Sequence, residues 1–224
     1  MYHKNRVDTQ HTYRKSDINP TTATIKRVFD ILFSVIGLWL TLPLYPLIFI
    51  AIKLDSPGPI LFRQIRIGRA LPDRSLIFHM MKFRTMHIDA ERVTGATWAT
   101  ESDPRVTRIG RFLRKSRLDE LPQFINVIVG DMSIIGPRPE RPSFYQELEN
   151  AIPYFADRTY GVRPGITGLA QINQGYDTCI EDVRSKVGFD HSYALSLSSL
   201  RMWFKMDCYI IFKTIMVMVR GHGQ

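Results

Sequence analysis

Between Ile31 and Ile52 the chain runs for 22 residues without a charge. As a straight helix that run measures about 33 Å, against a bilayer hydrocarbon core of about 30 Å. A core helix of this length with no polar side would be out of place in 224 residues, enough for one domain with appendages. The run therefore reads as a membrane insertion. Pro43 and Pro46 lie in its second half. Each removes a backbone donor and crowds the preceding turn, so the helix should break near residues 40–46. Both flanks are basic. Residues 1–27 hold six Lys and Arg against two Asp, and residues 53–117 hold fourteen against six acids. The positive-inside rule keeps both flanks in the cytoplasm, and a helix that enters, breaks and returns satisfies it. A single span with a proline kink is the other reading.

The first 24 residues are polar and contain no signal-peptide core, so they read as a flexible tail. After the apolar run, Asp55-Ser56-Pro57-Gly58-Pro59 forms a turn. Residues 60–67 and 75–83 read as two strands around a turn at 68–74. On an extended chain Lys82 and Arg84 share a face, which either cradles a phosphate or simply lies in water. Residues 88–104 read as a loop. Arg105, Arg108, Arg111, Arg114 and Arg117 then recur every third residue, with Val106, Ile109, Phe112 and Leu113 between them. That is a basic amphipathic helix, suited to anionic headgroups or to solvent.

Pro122 fits only the first turn of a helix, which places a helix from Asp119 to Val129 with Gly130 as its stop. Asp119 would cap it and Glu120 would sit in its first turn. This is either a capping Asp with a dipole-compensating Glu, or an acidic pair near Arg114 and Arg117. Such a pair, kept ionised by the cations, could attack phosphorus or hold a metal. Pro137, Pro139 and Pro142 stiffen a loop that presents Arg138, and a guanidinium so fixed suits a phosphate oxygen. Arg163 heads a second stiff loop, Arg163-Pro164-Gly165-Ile166-Thr167-Gly168. Residues 200–219 are apolar but interrupted by Arg201, Lys205, Asp207 and Lys213, so they form a core or interfacial helix and no span.

The net charge of +9 points to anionic partners: nucleic acid, phosphates or a membrane surface. There is no Gly-x-x-x-x-Gly-Lys-Ser/Thr loop, no Gly-x-Gly-x-x-Gly, no His-x-x-x-His and no Gly-x-Ser-x-Gly. P-loop ATPases, Rossmann enzymes, zinc hydrolases and serine hydrolases are thereby disfavoured. Cys179 and Cys208 read as reduced thiols.

Seven motifs follow in order: Lys26-Arg27-x-Phe29-Asp30, Asp55 to Pro59, Lys82-Phe83-Arg84-Thr85-Met86, Asp103 to Gly110, Leu118 to Gln123, Gly136-Pro137-Arg138-Pro139, and Arg163 to Gly168. Together they closely resemble the bacterial sugar transferases, the monotopic polyprenyl-phosphate hexose-1-phosphate (phosphoglycosyl) transferases. The resemblance implies an α+β, mainly helical, monotopic membrane protein with a proline-broken re-entrant N-terminal helix, a short β-hairpin and interfacial amphipathic helices. It implies a tail at 1–24, a re-entrant membrane helix at 25–53 and a cytoplasmic catalytic domain at 54–224. The reaction it implies moves a sugar-1-phosphate from a UDP-sugar to undecaprenyl phosphate, needs Mg²⁺ and releases UMP. This is the initiating step of lipid-linked exopolysaccharide, capsule or O-antigen synthesis, at the cytoplasmic face of the bacterial inner membrane. Asp119 maps onto the nucleophile that forms an aspartyl-phosphosugar, and Glu120 onto its metal-associated neighbour, the two together holding Mg²⁺. Lys82, Arg84, Arg114, Arg138 and Arg163 match basic positions for phosphates or nucleotide, and Asp190 matches a substrate-site Asp loosely. The expected partners are the donor, the lipid acceptor and membrane lipids, with room for a homo-oligomer and none for nucleic acid. The sugar would be met by the irregular stretches 88–102 and 172–188.

The chain departs from the resembled pattern in three places. Leu42-Pro43 replaces a Ser-Pro at the bend, Leu169 replaces a Trp, and the polar tail stands where many relatives carry a four-helix membrane domain. The competing reading is a catalytically inactive membrane scaffold of a polysaccharide assembly, for which the acidic pair amid so many cations has no use.

Overall fold

The computed structural model describes residues 17–92, 95, 97, 103–175 and 179–219. The expectations for residues 1–16 of the tail, and for residues 93, 94, 96, 98–102 and 176–178, lie outside the described residues.

Helix α1 (Pro20–Thr41) starts inside the stretch expected to be tail. Asn19 is the reason. Its side chain accepts hydrogen bonds from the backbone of Thr21 (2.9 Å) and Thr22 (3.3 Å), and Pro20 takes the first helical position, where its missing N–H costs nothing. The break falls where the prolines put it. α1 stops at Thr41 and α2 (Leu44–Asp55) continues at 65° to it, with Pro46 inside its first turn. The Thr41 hydroxyl donates to the Gly37 carbonyl at 2.7 Å, so a hydroxyl still braces the bend although Leu42 is not a Ser. No single described helix is long and apolar enough to cross a membrane; only the bent pair is, taken together.

α1 is inside out. Thr22, Lys26, Asp30 and Ser34, spaced by four and so on one face, are buried. Val28, Leu32, Phe33, Leu40 and Trp39 (73% exposed) face outward. A water-soluble domain arranges its helices the other way round. Lys26 and Asp30 are fully engaged, while the buried hydroxyls of Thr22 and Ser34 have no hydrogen-bond partner among the described residues. Lys26 Nζ lies 3.5 Å from Asp30 Oδ1 and 3.2 Å from Asp207 Oδ2. Asp30 Oδ1 accepts from Ser133 Oγ (3.0 Å) and the Ile134 amide (3.1 Å). Asp207 accepts from the Tyr193 hydroxyl (2.9 Å) and Trp203 Nε1 (2.7 Å).

Strands β1 (Leu61–Ala70) and β2 (Ser75–Phe83) pair as an antiparallel hairpin, Ile65 opposite His79. β1 runs three residues past its expected end through a register shift between Ile67 and Ala70. Phe83, with Ile48, Ile52 and Leu113, fastens the hairpin to α2 and to α3 (Arg108–Lys115). The arginine repeat is only partly helical. Arg108, Arg111 and Arg114 ride on α3, which Thr107 caps at the Gly110 amide, while Arg105 is ion-paired to Asp103 and Arg117 lies beyond the helix.

Helix α4 (Gln123–Val129) is followed by β3 (Ser133–Ile135), which pairs in parallel with β4 (Gly165–Thr167). The sequence gives no warning of this pair, because three-residue strands are too short to show a period. Here two backbones touch: a Cβ on Gly136 would collide with the Arg163 carbonyl oxygen. α5 (Pro142–Ala151), α6 (Leu169–Asn173), α7 (Ile180–Ser196) and α8 (Leu200–Val219) complete the molecule. α8 contributes to the core on one side and exposes apolar side chains on the other. Trp203 and Ile210 enter the core with Tyr193 and Ile135, while Met202, Phe204, Phe212 and Ile215 are exposed.

Candidate active site

The acidic pair does not open a helix. Arg117 turns into the left-handed region (φ 57°), residues 118–120 form one 3-10 turn, and α4 begins only at Gln123. Pro122 stands at the N-cap position, so Asp119 caps nothing. A proline is compatible with either start, which is why the sequence reading placed the helix too early. Asp119 and Glu120 are 5% and 7% exposed.

Helix α4 sets the pair's position and is itself held at three places. Asn126 bridges it to β2, accepting from the Met81 amide (2.9 Å) and donating to the His79 carbonyl (2.8 Å). Arg27 donates to the carbonyls of Val127 (2.6 Å) and Ile128 (2.9 Å) in the last turn of the helix. Gly37 of α1 meets the Phe124 ring so closely that a Cβ there would lie 2.9 Å from it.

Cations gather on Glu120. Lys82 Nζ donates to its Oε1 at 2.8 Å, and Arg117 and Arg138 stand 3.9 Å from the same oxygen. Burial opposes the ionisation of Glu120, but Lys82, Arg138 and Arg117 outweigh it and hold the carboxyl at about 2. Asp119 goes the other way. Burial pushes its carboxyl above the ordinary range, with Glu120 adding to the rise and Lys82, Arg114 and Arg117 opposing it. The cations act on both carboxylates, but only at Glu120 do they outweigh burial. Among the described residues Asp119 accepts no hydrogen bond.

Of the expected site residues, Lys82, Arg114 and Arg138 join the pair. Arg114 is braced by a bond from its Nε to Thr85 Oγ1 at 2.9 Å. Arg84 does not join them. β2 ends at Phe83, and the Arg84 guanidinium turns into the protein to donate to the carbonyls of Ser56 (2.6 Å) and Pro57 (2.8 Å), closing the end of α2. Arg163 donates to the Gly130 carbonyl at 3.0 Å, at the far end of α4 from the pair. Asp190 is buried on Arg158 at 2.8 Å. Sequence reasoning missed Arg66 and Arg158. Arg66 could have been found, since strand alternation puts Gln64 and Arg66 on the Lys82 side of the hairpin. Burial lowers Arg66 to about 10, with repulsion from Arg138 adding to the fall, so it remains charged at neutral pH.

Among the described residues no three His, Cys, Asp or Glu side chains cluster around a metal position. The pair offers two adjacent carboxylates, one without a hydrogen bond. That donor set fits a hard cation such as Mg²⁺, which keeps its waters and shares substrate phosphates.

The profile of the bacterial sugar transferases matches residues 21–221, taking in every element described above. This chain belongs to the bacterial sugar transferase family. Within the family it is 44% identical over 205 residues to a UDP-N-acetylgalactosamine-undecaprenyl-phosphate N-acetylgalactosaminephosphotransferase of Aeromonas hydrophila, over 92% of this chain and 46% of that protein. It is 42% identical over 193 residues to a UDP-glucose:undecaprenyl-phosphate glucose-1-phosphate transferase of Escherichia coli, over 85% and 39%. It is 37% identical over 208 residues to an exopolysaccharide production protein of Rhizobium leguminosarum, over 89% and 98%. The chain thus spans under half the length of the Aeromonas and Escherichia proteins.

Proposed function

We propose that this chain transfers a sugar-1-phosphate from a UDP-sugar to undecaprenyl phosphate through a covalent intermediate on Asp119, and so initiates a lipid-linked polysaccharide. The observation that carries this is the division of labour in the acidic pair. Glu120 gathers three cations, and the neighbouring buried Asp119 carboxylate accepts no hydrogen bond among the described residues, which leaves its oxygens available to attack.

In the first step an Asp119 oxygen attacks the sugar-bearing phosphorus of the donor. The bond from that phosphorus to the bridging oxygen breaks, and UMP leaves with the oxygen and its electron pair. In the second step a phosphate oxygen of the lipid attacks the same phosphorus, and the Asp119 carboxylate is restored. Lys82, Arg114, Arg117 and Arg138 offset the charge that builds on the phosphoryl oxygens. Mg²⁺ held by Asp119 and Glu120 would add charge neutralisation of the diphosphate.

Membrane placement is supported by the inverted face of α1, which exposes apolar side chains where a soluble protein exposes polar ones. The bend at Pro43 and the basic flanks favour re-entry with both ends in the cytoplasm. The test is UMP release by detergent-extracted protein from a panel of UDP-sugars, with Mg²⁺ and undecaprenyl phosphate. Release that depends on the lipid, with one sugar preferred, supports the reading; no release from any donor rejects it.

A further inference from the structure

The segment Gly136-Pro137-Arg138-Pro139-Glu140 brings Arg138 to the acidic pair, and it has an unusual difficulty. Two of its five residues are prolines, which fix φ but supply no N–H. Such a segment cannot hold itself by its own backbone bonds. Its handles are its carbonyl oxygens, and the donors must come from elsewhere.

The structure supplies a donor for each of four successive carbonyls. Pro137 O accepts from the Gly165 amide at 2.9 Å, and Glu140 O from the Ile67 amide at 2.9 Å. Between them, Arg138 O accepts from Arg158 at 3.0 Å and Pro139 O from Arg66 at 3.0 Å. The two arginines are fixed in turn. Arg158 is buried, donates to Asp190 at 2.8 Å, lies 3.5 Å from Glu140 Oε1 and stacks 4.6 Å over the Phe155 ring. Arg66 donates its other nitrogen to Gln64 Oε1 at 2.7 Å.

We infer that Arg158 and Arg66 are positioning residues for the transfer reaction: they fasten the carbonyls of the proline segment and thereby aim the Arg138 guanidinium at the acidic pair. Asp190 and Gln64 orient the two fasteners. This rests on the reaction proposed above, and it gives Asp190 a role at one remove from the substrate. Neither fastener touches the carboxylates. Both act on where Arg138 stands, and a misplacement of about 1 Å in such a group costs up to about 100-fold in rate.

The test is a double-mutant cycle on UMP release, using the full chain in detergent. Arg158→Lys keeps the charge beside Asp190 but gives up the fork that reaches two acceptors at once; Arg66→Lys does the same at the other carbonyl. Each is expected to lower kcat about 10-fold with KM for the UDP-sugar changed less than about 3-fold. Adding Arg138→Ala to either variant should then cost no more than Arg138→Ala alone, because the effect passes through Arg138. Losses that simply multiply would overturn the inference. Hydrogen exchange at residues 133–141 gives a readout that needs no activity. Faster exchange there in the lysine variants, with the melting temperature kept, supports the fastening, and unchanged exchange overturns it. Failure of the wild-type chain to release UMP from any donor rejects the reaction itself, which is a separate outcome from multiplicative losses in an active enzyme.

Discussion

Two charged clusters, one reaching from α1 to α8 and β3 and the other just ahead of α4, are built on opposite plans. Around Lys26 one cation meets two acids, and both acids are bonded further, by Ser133 and the Ile134 amide on one side and by Tyr193 and Trp203 on the other. Around Glu120 the cations outnumber the acids, and Asp119 accepts no hydrogen bond among the described residues. The first cluster is closed and ties the apolar helix to β3 and α8. In the second, Asp119 is left without a hydrogen-bond donor among the described residues. Buried polar groups that are fully bonded hold a fold together, whereas a buried carboxylate that accepts no hydrogen bond is a cost to the fold, which the proposed chemistry would account for.

The comparison can be broken most directly at Asp119. Asp119→Asn is expected to cut UMP release by about 10³-fold or more, because the attacking oxygen is gone. The same change should leave the melting temperature at pH 7 unchanged or higher. Burial raises the folded-state pKa of Asp119, so ionisation at neutral pH works against folding, and a neutral amide removes that cost. An Asn variant that melts lower would show that the open cluster is structural after all. At the closed cluster the signs reverse. Lys26→Met strands two buried carboxylates and is expected to cost about 3–5 kcal/mol in denaturant unfolding. Protein that remains folded should keep its turnover.

Acid gives a third contrast. The Glu120 carboxyl is held at about 2, below its unfolded value, so its contribution to stability is fully present above about pH 4.5. That contribution is lost as the pH falls toward 2, and Glu120→Gln should flatten the acid limb of a stability profile. The smallest expected effect lies at the seam between the clusters. Gly37→Val drives a side chain into the Phe124 ring and should cost about 1–3 kcal/mol. Phe124→Leu in the same chain should return part of the loss, and failure to do so would mean that this contact does not join the two regions.

What the sequence foretold follows from how local each feature is. Pro43 and Pro46 break a helix through their own rings, and the hairpin shows its turn and its alternation. Lys82 and Arg138 were legible as presented cations, from one strand face and one stiff loop, but their meeting at Glu120 was not, because it is a tertiary contact. Arg84 was not, because alternation holds only to the end of β2 and the chain turns at Phe83. The polar face of α1 went unread because Lys26 and Asp30 look like the flank of an apolar run, and their four-residue spacing to Thr22 and Ser34 matters only once α8 and β3 supply partners. Asp119 was misplaced as a cap because Pro122 allows two helix starts, and tertiary clamps at Asn126 and Arg27 choose between them. Arg158 carries no local signal. Its meaning lies in a carbonyl twenty residues away.

The bend between α1 and α2 has a consequence for the lipid itself. If the 65° turn is shared equally and both arms return to one surface, each slopes at about 32° to the membrane plane. The shorter arm, 12 residues, is about 18 Å long and so reaches about 10 Å below that surface. A leaflet is about 15 Å deep. On the placement proposed here the protein is a wedge in a single leaflet, adding area to one side of the bilayer and none to the other. Its affinity should then rise on strongly curved vesicles, whose outer leaflet is stretched and has gaps to fill.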